Sequence, residues 1–200
     1  MFGLPKTTEV TKQLPKKAIY AKFELKPAQR EGFDSDVSRI DIVAVVSPTT
    51  VPAVAPGENI KEFYVLTVLL KRKDYDERNI AMLSKLIPQN ILFALQYEEE
   101  TQLAVYHTKL IKSGWKRTGT VQIPLSGLNL DTVWENIIKD IGEIQVQEGK
   151  TLTEQILEDE QSAKLKKQIE ELEKKCRVEK QPRRRLELYE KLKLLKLQYE

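Results

Sequence analysis

Two hundred residues, 40% of them hydrophobic and 32% charged, suit one soluble globular domain with an appendage. The net charge of +3 is too small to declare a nucleic-acid binder, a reading that needs a concentrated patch. A single cysteine, Cys176, excludes an intramolecular disulfide, and the start MFGLPKTTEV lacks the apolar run of a signal peptide, so the expected compartment is the cytoplasm.

The first thirty residues carry seven Lys or Arg against Glu9 and Glu24, a surplus of five. Pro27 suits the first turn of a helix, with Ala28, Phe33 and Val37 on its inward face up to Ser38. RIDIVAVVS, 39–47, is dense in β-branched residues. It places Ile40, Ile42, Ala44 and Val46 on one face and Asp41, Val43 and Val45 on the other, which predicts a strand deep in a sheet. PTTVPAVAPGEN has three prolines and a glycine and reads as an exposed loop. EFYVLTVLLK, 62–71, is a second buried strand. DERNIAMLSKLIP, 76–88, starts at a capping residue, sets Ile80, Leu83 and Ile87 on one helical face and stops at Pro88.

NILFALQY and QLAVYHTKLI, joined by EEET, read as a hairpin, and WKRTGTVQI, 115–123, adds a possible further strand. In LNLDTVWENIIKDIGEI, Leu130, Val133, Trp134, Ile137, Ile138 and Ile141 follow helical spacing behind a cap at Asn129. These elements predict an α/β or α+β domain over 1–146, a mixed sheet of about four or five strands with packed helices. The longest apolar runs, IDIVAVV and YVLTVLL, reach about seven residues against the roughly 20 needed to cross a bilayer, so no membrane span is expected.

Residues 147–200 form a helical tail. Leu165, Ile169, Leu172 and Cys176 repeat at spacings of 4, 3 and 4, the seam of a coiled coil, and Leu188, Leu192, Leu195 and Tyr199 repeat the pattern. The two series are out of phase: continuing the first by sevens reaches Glu179 and Lys193. Pro182 lies at the break, where an interior proline costs about 3 kcal/mol. Two helices joined near 180–182 follow, folded back as a hairpin or held as a kinked arm.

KKCRVEKQPRRR, 174–185, holds Lys174, Lys175, Arg177, Lys180, Arg183, Arg184 and Arg185 against Glu179, a local charge of +6. Guanidinium forks and counterion release suit such a cluster to phosphate, while a solvated helix end that keeps a leucine-rich tail soluble accounts for it equally simply. The order helix, strand, strand, helix, strand resembles the restriction-endonuclease-like core, which uses an Asp on one strand and an acid two residues before a Lys on the next. Asp41 and Lys71 fall near those places, but the acid position is Leu69. Glu62 completes a Mg²⁺ site only by lying elsewhere in space. His107 is the only histidine and no serine near it sits in a nucleophile elbow. No phosphate-loop, dinucleotide or CxxC motif occurs, so no cofactor is expected.

LIPQNILFAL (86–95), GLNLDTVWENII (127–138) and EKKCRVEKQPRRRLELYEKLKLLK (173–196) together resemble a bacterial family known mainly as a domain of unknown function. The resemblance implies a setting beside a helicase and a DNA methyltransferase in restriction-like or phage-defence loci, and carries over no catalytic residues. The expected function is a non-catalytic accessory subunit that docks a helicase or methyltransferase partner, or a second copy of itself, through Leu165, Ile169, Leu172, Leu188, Leu192 and Leu195. The alternatives are a divergent nuclease using Asp41, Glu62 and Lys71 with Mg²⁺, and a DNA-binding adaptor using the basic 174–185 patch.

Overall fold

Strands β3 (Phe63–Leu70) and β4 (Asn90–Tyr97) carry apolar side chains on both faces, a pattern that is stable only where both sides of a sheet are covered. In a computed structural model, which describes residues 1–199, they run parallel to each other, Phe63 opposite Asn90 and Leu69 opposite Gln96. The chain forms two compact units, Met1–Gln145 and Val146–Glu200, and the sheet belongs to the first.

Around that pair the sheet grows by antiparallel neighbours. On one side lie β2 (Val37–Val46) and then β1 (Glu9–Gln13); on the other lie β5 (Glu100–Tyr106) and then β6 (Leu110–Lys112). A two-residue strand, β7 (Lys116–Arg117), also pairs with β5. The sheet is therefore mixed and seven-stranded, larger than the four or five strands expected: β1 is too short and exposed for a period-2 pattern to stand out, QLAVYHTKLI contributes to two strands, and WKRTGTVQI supplies only β7 before Thr118–Thr120 turn in a 3-10 helix. QLAVYHTKLI, expected as one strand, breaks at His107, whose N–H donates to Lys109 O at 3.0 Å in a turn that starts β6. The β4–β5 turn is Glu98–Glu99, with Glu98 in the left-handed region at φ 52°.

Parallel strands need a crossover, and α3 (Glu77–Leu83) lies in it, capped by the Asp76 carboxylate accepting the Arg78 N–H at 3.0 Å. The helix is shorter than its spacing suggested. Ser84 Oγ donates to Ala81 O at 2.8 Å and Pro88 disfavours helical geometry at Ile87, which lies half-buried beyond the helix end. With α1 (Lys16–Lys22) and α2 (Pro27–Asp36), α3 covers one sheet face, where Ile19, Phe33, Ile80 and Leu83 pack on Leu66, Val68, Phe93 and Leu95. The alternate residues face α4 (Leu130–Gly142), whose Trp134 ring lies 5.1 Å from Phe63. All six apolar residues expected on the inner face of α4 are buried, and Asn129 Oδ1 accepts the Thr132 N–H at 2.9 Å as the cap.

The loop after β2 departs from its expected exposure: Val51 and Val54 are buried. Its backbone is held by α4. Ala55 donates to Leu128 O at 3.1 Å and accepts from Leu130 at 3.0 Å, while the Asp131 carboxylate accepts the N–H groups of Glu58, Asn59 and Ile60 at 2.7, 3.2 and 2.7 Å. Gly57 makes room for this, since a Cβ there would stand 2.3 Å from Asp131 Oδ1 and 2.8 Å from its backbone nitrogen. A second carboxylate, Asp36 at the end of α2, is 1% exposed. It accepts from Arg72 Nε at 2.6 Å, the Asp76 N–H at 2.8 Å and Asn79 Nδ2 at 2.8 Å, tying α2 to the start of the crossover.

Gly57→Ala is expected to destabilise the domain by about 2–4 kcal/mol in urea denaturation, because the new methyl meets backbone as well as a carboxylate. Asp36→Ala strands a backbone N–H and a side-chain amide and is expected to cost about 2–4 kcal/mol. Burial alone would raise the Asp36 pKa, but the Asp76 N–H, Arg72 and Asn79 outweigh it and hold the carboxyl below its ordinary 3.8. A depressed folded pKa contributes stability that is complete above the unfolded value and fades as pH falls through the folded one. Between about pH 4 and pH 2 the wild type should therefore lose stability more steeply than Asp36→Asn, as thermal melts across that range would record.

Candidate functional site

The second unit is built on two helices. α5 (Leu152–Val178) opens on a capping box in which the Glu154 carboxylate accepts the Thr151 N–H at 2.8 Å and Thr151 Oγ1 accepts the Glu154 N–H at 3.3 Å. It ends where Glu179 turns extended (φ −69°, ψ 123°). α6 (Pro182–Tyr199) then begins on Pro182, whose missing N–H costs nothing in the first turn. Glu179 Oε1 accepts the Gln181 N–H at 2.9 Å, closing a three-residue link. Of the two geometries the sequence allowed, the tail adopts the hairpin: α5 and α6 pack on each other, and Lys196 near the chain end reaches Glu173 at 2.7 Å.

The leucine series form the inner side of that hairpin. Ile169 and Leu192 are buried, and Leu165, Leu172, Leu188 and Leu195 are half-buried; the Tyr199 side chain lies outside the described residues. Because each helix turns its own face to the other, the series need no common phase, which explains the register break at Pro182. The six side chains expected to bind a partner are thus engaged, wholly or in part, within the tail.

A different set is left outward. Leu186, Tyr189, Leu194 and Leu197 of α6 are 60%, 62%, 63% and 63% exposed. At 100° per residue, Leu186, Leu194 and Leu197 cluster on the side opposite Leu188, Leu192 and Leu195, and Tyr189 borders both. Apolar residues on two faces of one helix cancel in any search for a single stripe, so spacing alone marks only the 4–3–4 series.

The seven cations of 174–185 gather at the closed end of the hairpin, because the short link joins the last turn of α5 to the first of α6. Within the described residues only Arg183 among them has a carboxylate in ion-pair range, Glu187 at 3.8 Å. On one side of this tip an open groove of about 780 Å³ is lined by Glu173, Cys176 and Arg177 of α5 and by Pro182, Arg185, Leu186, Tyr189 and Leu192 of α6. Arg185, Tyr189 and Leu192 follow at i, i+4 and i+7, so they share a helix face. The exposed aromatic ring among arginines is a feature the one-dimensional sequence concealed, since Tyr189 lies outside the basic run.

The candidate nuclease residues are not brought together. Glu62 and Lys71 flank opposite ends of β3, nine residues apart, or about 30 Å at roughly 3.3 Å per residue. Asp41, opposite Thr67 in mid-strand, is taken by Arg39 at 2.7 Å; Glu62 accepts the Tyr64 hydroxyl at 2.9 Å. Among the described residues no cluster of three or more His, Cys, Asp or Glu side chains is placed to hold a metal ion. A cleft of about 360 Å³ between the β5 edge and α4 is lined by Leu103, Ile137 and Ile141 with Ser113, Lys116 and Asp140. Ser113 Oγ accepts the Leu103 N–H at 3.0 Å and donates to Gly114 O at 2.9 Å, so its hydroxyl serves the strand edge. No helix among the described residues is long and apolar enough to cross a membrane.

Fold and arm together define the class: an α+β domain with a mixed sheet, continued by a two-helix hairpin. The chain belongs to the family described as Domain of unknown function (DUF4391), whose model matches residues 2–198. No curated protein and no solved structure matches it.

Leu192→Ala removes a buried side chain from the seam and is expected to cost about 2–3 kcal/mol within the hairpin, read as faster amide exchange over residues 182–198.

Proposed function

We propose that the protein is a non-catalytic accessory subunit that docks a protein partner through the outward face of α6. The observation that carries this reading is the group Leu186, Leu194 and Leu197, each at least 60% exposed on a helix whose other apolar face is already engaged. Large apolar side chains grouped on a surface favour burial against a partner, and each is worth about 1.5–3 kcal/mol when fully covered, before ordering costs. The separation of Asp41, Glu62 and Lys71 supports a non-catalytic role.

The family resemblance supports a cytoplasmic, bacterial setting in a restriction-like or phage-defence complex, where the partner is its helicase or its DNA methyltransferase. Self-association through the same face is the other form this docking takes. The seam leucines act in this reading as the frame that holds α6 in place.

Co-expression with the helicase and the methyltransferase of such a complex, followed by affinity purification, tests it. The full-length wild type should retain one of them or sediment as a dimer. Leu194→Glu/Leu197→Glu should lose at least nine-tenths of the retained partner or become monomeric with its helix content unchanged. Equal retention by wild type and variant, or no association by either, refutes docking through this face.

A further inference from the structure

The charges of the hairpin are distributed unevenly. Along its stem, cations meet acids: Lys150 pairs with Glu158, Lys164 with Glu160 and Lys196 with Glu173. Within 174–185 seven cations accompany the single acid Glu179, whose carboxylate already accepts the Gln181 N–H, and just beyond it Glu187 reaches Arg183 at 3.8 Å. Keeping a leucine-rich arm soluble needs only the mixed pattern of the stem. Packing like charges at one end raises their mutual repulsion, a cost that an anionic occupant removes.

The groove beside the tip adds shape and a second chemistry. Arg177 enters from α5 and Arg185 from α6, so two guanidinium forks flank one opening, and each can hold a phosphate through paired N–H donors. Tyr189 stands one turn from Arg185 with most of its ring in solvent, and Leu192 supplies an apolar floor. The acid in the groove, Glu173, is neutralised by Lys196 at 2.7 Å. Arginines that track a backbone and an exposed ring on which a base stacks are the two elements of single-strand recognition. A duplex hides its base faces, whereas a single strand offers them to the ring. Arg183, Arg184, Lys180, Lys174 and Lys175 extend the cationic surface beyond the groove and give neighbouring phosphates a path.

We infer that the hairpin tip is a binding site for single-stranded nucleic acid, with Arg177 and Arg185 on phosphates and Tyr189 stacked on a base. The site adjoins the docking face proposed above, since Leu186 belongs to that face and also lines the groove; the two are told apart by testing the strand site at Arg177, Arg185 and Tyr189 and docking at Leu194 and Leu197.

The test uses the purified full-length chain and fluorescently labelled oligothymidylate, oligouridylate and a mixed-sequence duplex of the same length, read by anisotropy. Both single strands should bind more tightly than the duplex, and the tighter of the two identifies DNA or RNA as the source of the strand. Arg177→Ala/Arg185→Ala should weaken binding about ten-fold or more. It should also flatten the slope of log affinity against log salt by roughly 1 to 1.5, at about 0.7 per phosphate contacted. Tyr189→Ala should lose about five-fold or more, whereas Tyr189→Phe, which keeps the stacking face, should bind as wild type does. Leu194→Glu/Leu197→Glu should bind the strands unchanged. Cys176, the only thiol of the chain, lines the groove, so a bound oligonucleotide should slow its alkylation several-fold. The inference is overturned by no binding of either strand at low salt, by a duplex bound as tightly as the single strands, or by Tyr189→Ala binding as wild type does. Displacement of the oligonucleotide by polyglutamate at equal charge concentration overturns it too, by pointing to an acidic protein surface.

Discussion

The parallel pairing of β3 with β4 is the constraint on which the first unit depends. Parallel neighbours cannot be joined by a tight turn, so residues 71–89 must cross over the sheet, and α3 lies in that crossing. Strands apolar on both faces must be roofed twice, which accounts for α1, α2 and α3 on one side and α4 on the other. The antiparallel strands added at either side need no such cover at their outer edges; the five residues of β1 are all exposed. The long link between β2 and β3 runs near the start of α4. Asp131 collects three successive backbone N–H groups from that link, so a stretch rich in proline, with little ability to form a ladder, is fixed by a side chain instead.

Proline plays the corresponding part in the second unit. A continuous helix through residue 182 would set a ring against the preceding turn and leave a carbonyl without its donor. Starting a new helix at Pro182 removes both costs, and three linking residues then leave α5 and α6 antiparallel neighbours. Once they pack, Ile169 and Leu192 close the seam, and the hairpin holds its outward leucines and its cationic end in fixed positions.

What the sequence disclosed follows the strength of each physical signal. α4 was readable almost residue by residue, because six apolar positions at helical spacing and an Asn cap point the same way. β2, β3 and β4 were readable because β-branched density and length agree. Of the short strands only β1 leaves no signal, because it buries no side chain at all; β6 and β7 lie within stretches that read as strands, but their ends and the break at His107 do not show in the pattern. Asp36 and Asp131 were invisible as structural centres. Their partners lie 36 to 43 and 71 to 73 residues away, and nothing in a local window marks a carboxylate as one that collects distant N–H groups. In the tail, the inner leucines were found by spacing, but the outer set and the groove were not. Tyr189 becomes a neighbour of Arg177 only because the chain reverses between them, and sequence periodicity describes one helix at a time.

The same accounting of partners separates the two units chemically. In the sheet domain the carboxylates that stand out are consumed in holding elements together: Asp34 by Lys16 and Tyr20, Asp36 by Arg72, Asp76 and Asn79, and Asp131 by a backbone loop. Burial raises the Asp131 pKa, yet the N–H groups of Asn59, Ile60 and Glu58 bring it below the ordinary value, as expected of an anion that serves as a fixed acceptor. A carboxylate so stabilised is a poor proton acceptor and has few lone pairs left for a metal. The tip of the hairpin is the reverse case. Six of its seven cations lack an ion-pair partner among the described residues. The domain's central carboxylates are held by its own elements, whereas the hairpin leaves most of its tip cations without an ion-pair partner among the described residues and its outer leucines exposed.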